Sequence, residues 1–153
     1  MKTYKNFINN LFKKNPKIKF WNNSQKRSED WKLNGIRHRE DGPTYQSWYD
    51  NGQKESEYWF LNGKYHRENG PADQYWYENG QIIIESWYLK GNRHREDGPA
   101  YQKWFKNGEI EFEFWYLNGK GYRKEEWIDE LKKIGSIHYE EQKMLFDFEK
   151  YNL

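Results

Sequence analysis

Residues 59–80 read WFLNGKYHRENGPADQYWYENG, and nearly the same words recur on either side of them. A histidine, an arginine, an acid, a Gly-Pro, an aromatic cluster and an Asn-Gly follow one another from His38, from His66 and from His94. Aligning the chain with itself gives a period of 28 residues. Trp31, Trp59, Trp87 and Trp115 share one position, Gly35, Gly63, Gly91 and Gly119 another, Pro43, Pro71 and Pro99 a third, and Trp48, Trp76 and Trp104 a fourth. Self-similarity at such a period is the signature of a repeat architecture. Phe20-Trp21 falls one period before Trp48-Tyr49, so a half-unit precedes the first. Trp115 to Arg123 begins a fourth unit, which has Tyr122 in place of the histidine and then loses the Gly-Pro.

Asn-Gly between short alternating aromatic and polar stretches is a strong hairpin signal, because both central residues of a type I′ turn need positive φ. A two-residue turn at Asn62-Gly63 pairs Leu61 with Lys64, Phe60 with Tyr65 and Trp59 with His66. The same turn at Asn79-Gly80 pairs Tyr77 with Ile82, Trp76 with Ile83 and Tyr75 with Ile84. The Glu-Asn-Gly-Pro at 68–71 makes a third reversal. Each unit therefore reads as about three short antiparallel strands. The expected fold is mainly β, a single-layer antiparallel β-meander with a 28-residue period.

The ends carry a different period. Tyr4, Phe7, Ile8, Leu11 and Phe12 form the stripe of an amphipathic helix, with Thr3 as N-cap and Pro16 past its end. Trp127, Ile128, Leu131 and Ile134 form a second stripe stopped by Gly135, and Ser136 would cap a third helix carrying Met144, Leu145, Phe148 and Tyr151. Repeat arrays need atypical end units to cover their edges. The expected organisation is thus a capping helix over 1–16, the β-repeat array over 17–123 and a helical cap over 124–153.

Composition narrows the functional classes. Of the 153 residues 35% are hydrophobic and 33% charged, yet 20% are aromatic, which separates the chain from disordered sequences. A net charge of +2 with both signs interspersed lacks the basic field of a nucleic-acid binder. Without cysteine there is neither a disulfide framework nor a thiolate metal site. No apolar run approaches a membrane span, and no signal-peptide core follows the N-terminus. These features predict a cytoplasmic protein with no membrane partner, in the host cell if the source is a virus.

Alternation across each strand sorts the side chains into two faces. One is rich in tyrosine and phenylalanine. The other collects Trp48, Trp59, Trp76, Trp87, Trp104 and Trp115 with Leu61 and Leu89, among Glu55, Glu57, Glu85, Glu111, Glu113 and the three histidines. That tryptophan row edged with carboxylates is the candidate lining of a groove for a peptide or a cationic partner, through apolar and cation–π contacts. Cross-strand aromatic pairs that merely stabilise a thin sheet explain the same row.

The His-Arg-Glu triplets invite metal or catalytic readings, and spacing argues against both. Three strands per unit place equivalent histidines about 14 Å apart, too far for one coordination sphere. Identical triplets with no nucleophile at fixed spacing do not make the asymmetric constellation that catalysis needs. No catalytic residue, metal or cofactor is therefore expected. A structural corner, with His66 stacked on Trp59 and His94 on Trp87, is the plainer expectation. A row of Arg39, Arg67 and Arg95, with His38, His66 and His94, facing a small anionic or phosphorylated ligand is the alternative.

With "WFLNGKYHRENGPA" at 59–72 on the page, the chain resembles the MORN-repeat superfamily, in the variant whose units read WYxNGxxHRxxGPA, over about residues 20–123. Such variants are familiar from large DNA viruses, phages and bacteria, and related ones from antitoxin families. The resemblance implies a single-layer sheet of hairpins and a non-enzymatic interaction role: a protein-binding module or scaffold. A ligand sponge for nucleotides or other anions, and an antitoxin or immunity protein, are the competing readings. Open sheet ends make self-association into a homo-oligomer a further expectation.

Overall fold

A computed structural model of the chain describes residues 16–151. The helix expected over 1–16 thus falls, Pro16 apart, outside the described residues. The strands are β1 (Lys17–Phe20), β2 (Lys26–Asp30), β3 (Lys32–Leu33), β4 (Ile36–Arg37), β5 (Tyr45–Trp48), β6 (Lys54–Tyr58), β7 (Phe60–Leu61), β8 (Lys64–Tyr65), β9 (Asp73–Trp76), β10 (Ile82–Ser86), β11 (Tyr88–Leu89), β12 (Asn92–Arg93), β13 (Tyr101–Trp104), β14 (Ile110–Leu117) and β15 (Lys120–Tyr122). Two helices follow, α1 (Lys124–Ile134) and α2 (Tyr139–Tyr151). Nine strands make one open antiparallel sheet in the order β1-β2-β5-β6-β9-β10-β13-β14-β15.

The remaining strands pair off as β3-β4, β7-β8 and β11-β12, a row of short hairpins beside the sheet. The step from one sequence unit to the next is therefore two sheet strands, about 10 Å, and not the three strands and about 14 Å expected. Backbone bonds stitch this second row together. Gly63 N–H donates to Arg37 O (2.9 Å), Gly91 to Tyr65 O (2.8 Å) and Gly119 to Arg93 O (2.8 Å), while Arg39, Arg67 and Arg95 N–H reach Phe60, Tyr88 and Tyr116 O. At the bend between the rows Trp59 N–H bonds Ala72 O, and Trp87 N–H bonds Ala100 O, both at 2.8 Å.

The two kinds of Asn-Gly are not the same turn. At 62–63 both residues have positive φ, +51° and +76°, and the pairs Phe60–Tyr65 and Leu61–Lys64 form as the type I′ reading predicts. At 79–80 only Gly80 is left-handed, at +82°. Gly80 N–H bonds Tyr77 O and Tyr77 N–H bonds Gln81 O, a three-residue loop closed by a glycine bulge. Asn79 Oδ1 accepts the Gln81 N–H at 3.1 Å. The register then shifts, so that Trp76 pairs with Ile82, leaving Ile83 as the bulged residue. Equivalent shifts follow Ser47 and Lys103.

This slip overturns part of the face assignment, since one residue of slip moves a side chain to the other side. Glu55 lies with Arg37, Tyr45, Tyr58 and Tyr75 on the tyrosine side. Glu111 pairs at 2.8 Å with Lys103, whose ammonium sits over Phe112 on that same side. Ile82 and Ile110 stand opposite Trp76 and Trp104.

The sheet itself buries small residues: Thr44, Ala72, Ala100, Ser47, Ser56 and Ser86. The apolar core gathers instead at the C-terminal end, where Leu117 meets Trp127, Ile128 and Leu131 of α1, with Trp115, Tyr122, Tyr139 and Phe146 around them. Gly135 ends α1 in the left-handed conformation, its N–H returning to Leu131 and Lys132 O. α2 begins at Tyr139, two residues later than a Ser136 N-cap would start it, although Ser136 Oγ still accepts the His138 N–H two residues on. Among the described residues no helix is long and apolar enough to cross a membrane.

Because the two Asn-Gly pairs do different work, the same substitution has opposite effects. Asn62→Gly relieves a positive φ and leaves stability equal or higher, whereas Asn79→Gly loses the loop's side-chain acceptor and costs roughly 1 kcal/mol. Urea unfolding of the two variants checks the contrast.

Candidate functional site

The triplicated corner is built around an arginine and a tryptophan. The guanidinium of Arg39 lies over Trp31 (4.3 Å to the ring centroid), Arg67 over Trp59 (4.1 Å) and Arg95 over Trp87 (3.9 Å). Nη1 of each donates to a proline carbonyl four residues on, Pro43, Pro71 or Pro99, at 3.1–3.2 Å. Nε of Arg39 and Arg95 donates to Asp41 and Asp97. The glycine before each proline leaves room for this packing: a Cβ on Gly42 or Gly70 would stand 2.8 Å from the arginine Cζ, so the guanidinium would have to shift.

The histidines do something sequence reasoning missed. The residue stacked on each tryptophan is the arginine, not the histidine. His38 Nδ1 accepts the Asn62 N–H (3.2 Å), His66 Nδ1 the Lys90 N–H (3.1 Å) and His94 Nδ1 the Asn118 N–H (3.1 Å). Each ring therefore fastens its own unit to the turn of the next. The 24-residue interval between each histidine and its partner was the available signal, but backbone amides leave no trace in a sequence.

Below the stack, the carboxylates of the tryptophan face are engaged internally. Glu57 accepts from Trp59 Nε1 (2.8 Å), Gln46 Nε2 (2.8 Å) and Lys54 Nζ, with Arg67 Nη1 at 3.7 Å. Burial alone would push its carboxyl up, but these donors outweigh it and hold it below the ordinary glutamate value. Glu29 is held likewise by Lys26 and Trp31. One unit on, Ile82 replaces the lysine, Glu85 keeps only the Gln74 bond (2.9 Å), and Trp87 Nε1 is buried without a partner among the described residues. At the far ends of these strands Lys26 and Lys54 cover the rings of Trp48 and Trp76. Trp104 is partly buried in the same row, and Trp115 packs on the core with Lys124 over its ring.

Between consecutive corners two grooves open. Trp59, Leu61 and His66 line one of about 480 Å³, with Arg39, Glu40 and Glu68 on its rim. Trp87, Leu89 and His94 line the next, of about 660 Å³, with Arg67, Arg95, Glu68, Glu96 and Asp97 around it and His138 beside them. Of the expected binding set, the grooves bring together Trp59, Trp87, all three arginines, His66 and His94. Trp48, Trp76, Trp104, Trp115, Glu55, Glu85 and Glu111 lie outside them, and His38 sits in its clamp.

No protein-family model matches the chain, and neither a curated protein nor a solved structure does.

On the opposite side a tyrosine cluster runs across the sheet. Tyr45 stacks on Tyr58 (5.2 Å), Tyr65 stacks on Tyr88 (4.9 Å), and Tyr58 donates to Tyr75 Oη (2.8 Å). Arg37 covers Tyr45 and Arg93 covers Tyr101, each at 4.9 Å. The middle unit exchanges these types, with Tyr65 at the arginine position and Asp73 at the tyrosine position. Asp73 Oδ1 is buried and, among the described residues, has no hydrogen-bond partner. Burial pushes the Asp73 carboxyl up to about 6, against a smaller opposing pull from Arg93. Burial and the Asp73 charge likewise push the Tyr65 hydroxyl up to about 12.

Two outcomes follow. His66→Ala removes the bond to the exposed Lys90 N–H, which water can then solvate, and lowers stability by about 0.5–1.5 kcal/mol in a denaturant titration. Asp73 holds its proton longer folded than unfolded, so its own contribution to stability is largest below about pH 4, falls as pH rises to about 6 and stays lower above. Asp73→Asn removes that slope and stabilises the protein at pH 7, by roughly 1–2 kcal/mol once partial solvent screening is allowed for; thermal melts between pH 4 and pH 8 check it.

Proposed function

We propose that the chain is a non-enzymatic β-repeat protein of the MORN-variant kind, each 28-residue unit forming one repeat and the C-terminal helices closing one end. Its function is to bind another polypeptide along the row of grooves between units. The observation that carries this reading is the pair of grooves of like construction, Trp59–Leu61–His66 and Trp87–Leu89–His94, one sequence unit apart. A floor of large aromatic and aliphatic side chains with a charged rim is the make-up of a protein-binding surface. A partner fitting it presents apolar side chains about 10 Å apart, the two-strand step of the sheet.

The arginine row supports a small-anion site less well. Each guanidinium already donates to a proline carbonyl and faces a tryptophan ring, and Arg39 and Arg95 are each paired with an aspartate as well.

A photo-crosslinking residue placed at Leu61 or Leu89, with controls at Phe112 on the tyrosine side and Leu145 on α2, tests the assignment. The expected result is one polypeptide captured from the groove positions, whose affinity as a purified partner falls at least tenfold on Leu89→Glu. Capture from Leu145 alone, or affinity indifferent to Leu89→Glu, overturns the reading.

A further inference from the structure

The three corners differ in one letter. The flanking units read HREDGP at 38–43 and 94–99, the middle one HRENGP at 66–71. In the flanking corners the carboxylates of Asp41 and Asp97 accept from Arg39 Nε (2.9 Å) and Arg95 Nε (2.7 Å). In the middle corner Arg67 Nη1 still reaches Pro71 O, but Arg67 Nε and the Asn69 amide have no hydrogen-bond partner among the described residues.

That amide stands in a reactive context. In an Asn-Gly pair the following backbone nitrogen can attack the side-chain carbonyl carbon, and glycine has no Cβ to hinder the approach. The chain has seven such pairs. Five are restrained: Gly52, Gly63, Gly80, Gly108 and Gly119 N–H each donate to a backbone carbonyl at 2.8–3.0 Å. A bonded N–H has to be released before its nitrogen can attack. Gly35 makes no such bond among the described residues, but Asn34 is held at φ +52° in the tight β3–β4 turn. At 69–70 neither restraint operates: Asn69 is exposed and not left-handed, and Gly70 N–H makes no bond among the described residues. The Arg67 guanidinium lies against the same peptide, 2.8 Å from where a Gly70 Cβ would stand, and its charge favours loss of the Gly70 amide proton.

We propose that Asn69 is a deamidation site whose aspartate product completes the middle corner. Gly70 N bonds to Asn69 Cγ, the Cγ–Nδ2 bond breaks, and Nδ2 leaves as ammonia with the proton that Gly70 gave up. Water then adds to the cyclic imide. Breaking the new Cγ–N bond returns a proton to Gly70 N and leaves a carboxylate at 69; breaking the original C–N bond leaves isoaspartate. Water is the one co-reactant. The aspartate carboxylate stands two residues from Arg67, the interval at which Asp41 and Asp97 pair with their arginines. Arg67, Glu68 and Asn69 form the wall common to both grooves, so the change also adds a negative charge there.

The test incubates the full chain at mildly alkaline pH and follows each Asn-Gly peptide by mass spectrometry for the mass gain of amide-to-acid conversion. Asn69 is expected to convert first, about fivefold or more faster than the five bonded sites, the factor that freeing a hydrogen bond of about 1 kcal/mol represents. Conversion at Asn69 no faster than at Asn51 or Asn79 overturns the proposal, as does isoaspartate as the sole product. Asn69→Asp supplies the product directly. By NMR its Arg67 Nε–H should exchange with water as slowly as those of Arg39 and Arg95, and severalfold more slowly than in the unmodified chain. Exchange unchanged by the substitution counts against the completed corner. Neither readout needs a partner, so failure here leaves the groove assignment, tested at Leu61 and Leu89, standing.

Discussion

A guanidinium laid over an indole, with its second nitrogen tied to a proline carbonyl, is the contact on which the rest of this array depends. A single-layer sheet has no second layer to bury against, and here its covered positions are taken by serine, threonine and alanine. Stability has to come from contacts within each face and from stitches between units. The arginine supplies both: it covers the ring of Trp59, holds the reversal at Gly70-Pro71 in place and so sets where the next strand begins. Cation–π contacts of this partly desolvated kind are worth about 0.5–2 kcal/mol each. Repeated three times and coupled by the histidine clamps, they do along the chain what a core does in a globular domain.

The corner also explains why the grooves exist. With Arg67 folded back on Trp59 and His66 reaching forward to the Lys90 amide, a gap is left on the tryptophan side between neighbouring units. The gap is floored by whatever residues stand at the positions of Leu61 and Leu89. Partner binding, if it uses these gaps, leaves the structural contacts untouched. The same residues that look like a site in the sequence serve as its walls.

Much of this was legible from residue order alone. The 62–63 turn and its pairs follow from Asn-Gly and alternation, and the stripe from Trp127 to Ile134 with its glycine stop follows from helical spacing. The tryptophan and tyrosine faces separate correctly wherever the ladder is regular. Errors cluster where a loop choice had to be made between identical dipeptides. Asn79-Gly80 looks like Asn62-Gly63, yet it closes a three-residue loop with a bulge beyond it, and the equivalent slips after Asn51-Gly52 and Asn107-Gly108 carried Glu55 and Glu111 to the tyrosine side. The histidine role was misread for a different reason: its partner is a backbone amide in the next unit.

The sequence by itself determined the mainly β, antiparallel hairpin architecture and the helix that carries Trp127 to Ile134, because these depend on chemistry at short range: turn glycines, alternation and helical spacing. Tertiary structure decided that the unit is two sheet strands plus a side hairpin, and that arginine, not histidine, lies on the tryptophan. It also decided that the concave surface falls between units, and that Asp73 is held among tyrosines. Each of these turns on how consecutive units stack. Stacking is fixed by hydrogen bonds between backbone groups 24–28 residues apart, and a backbone group carries the same chemistry whatever letter stands at its position.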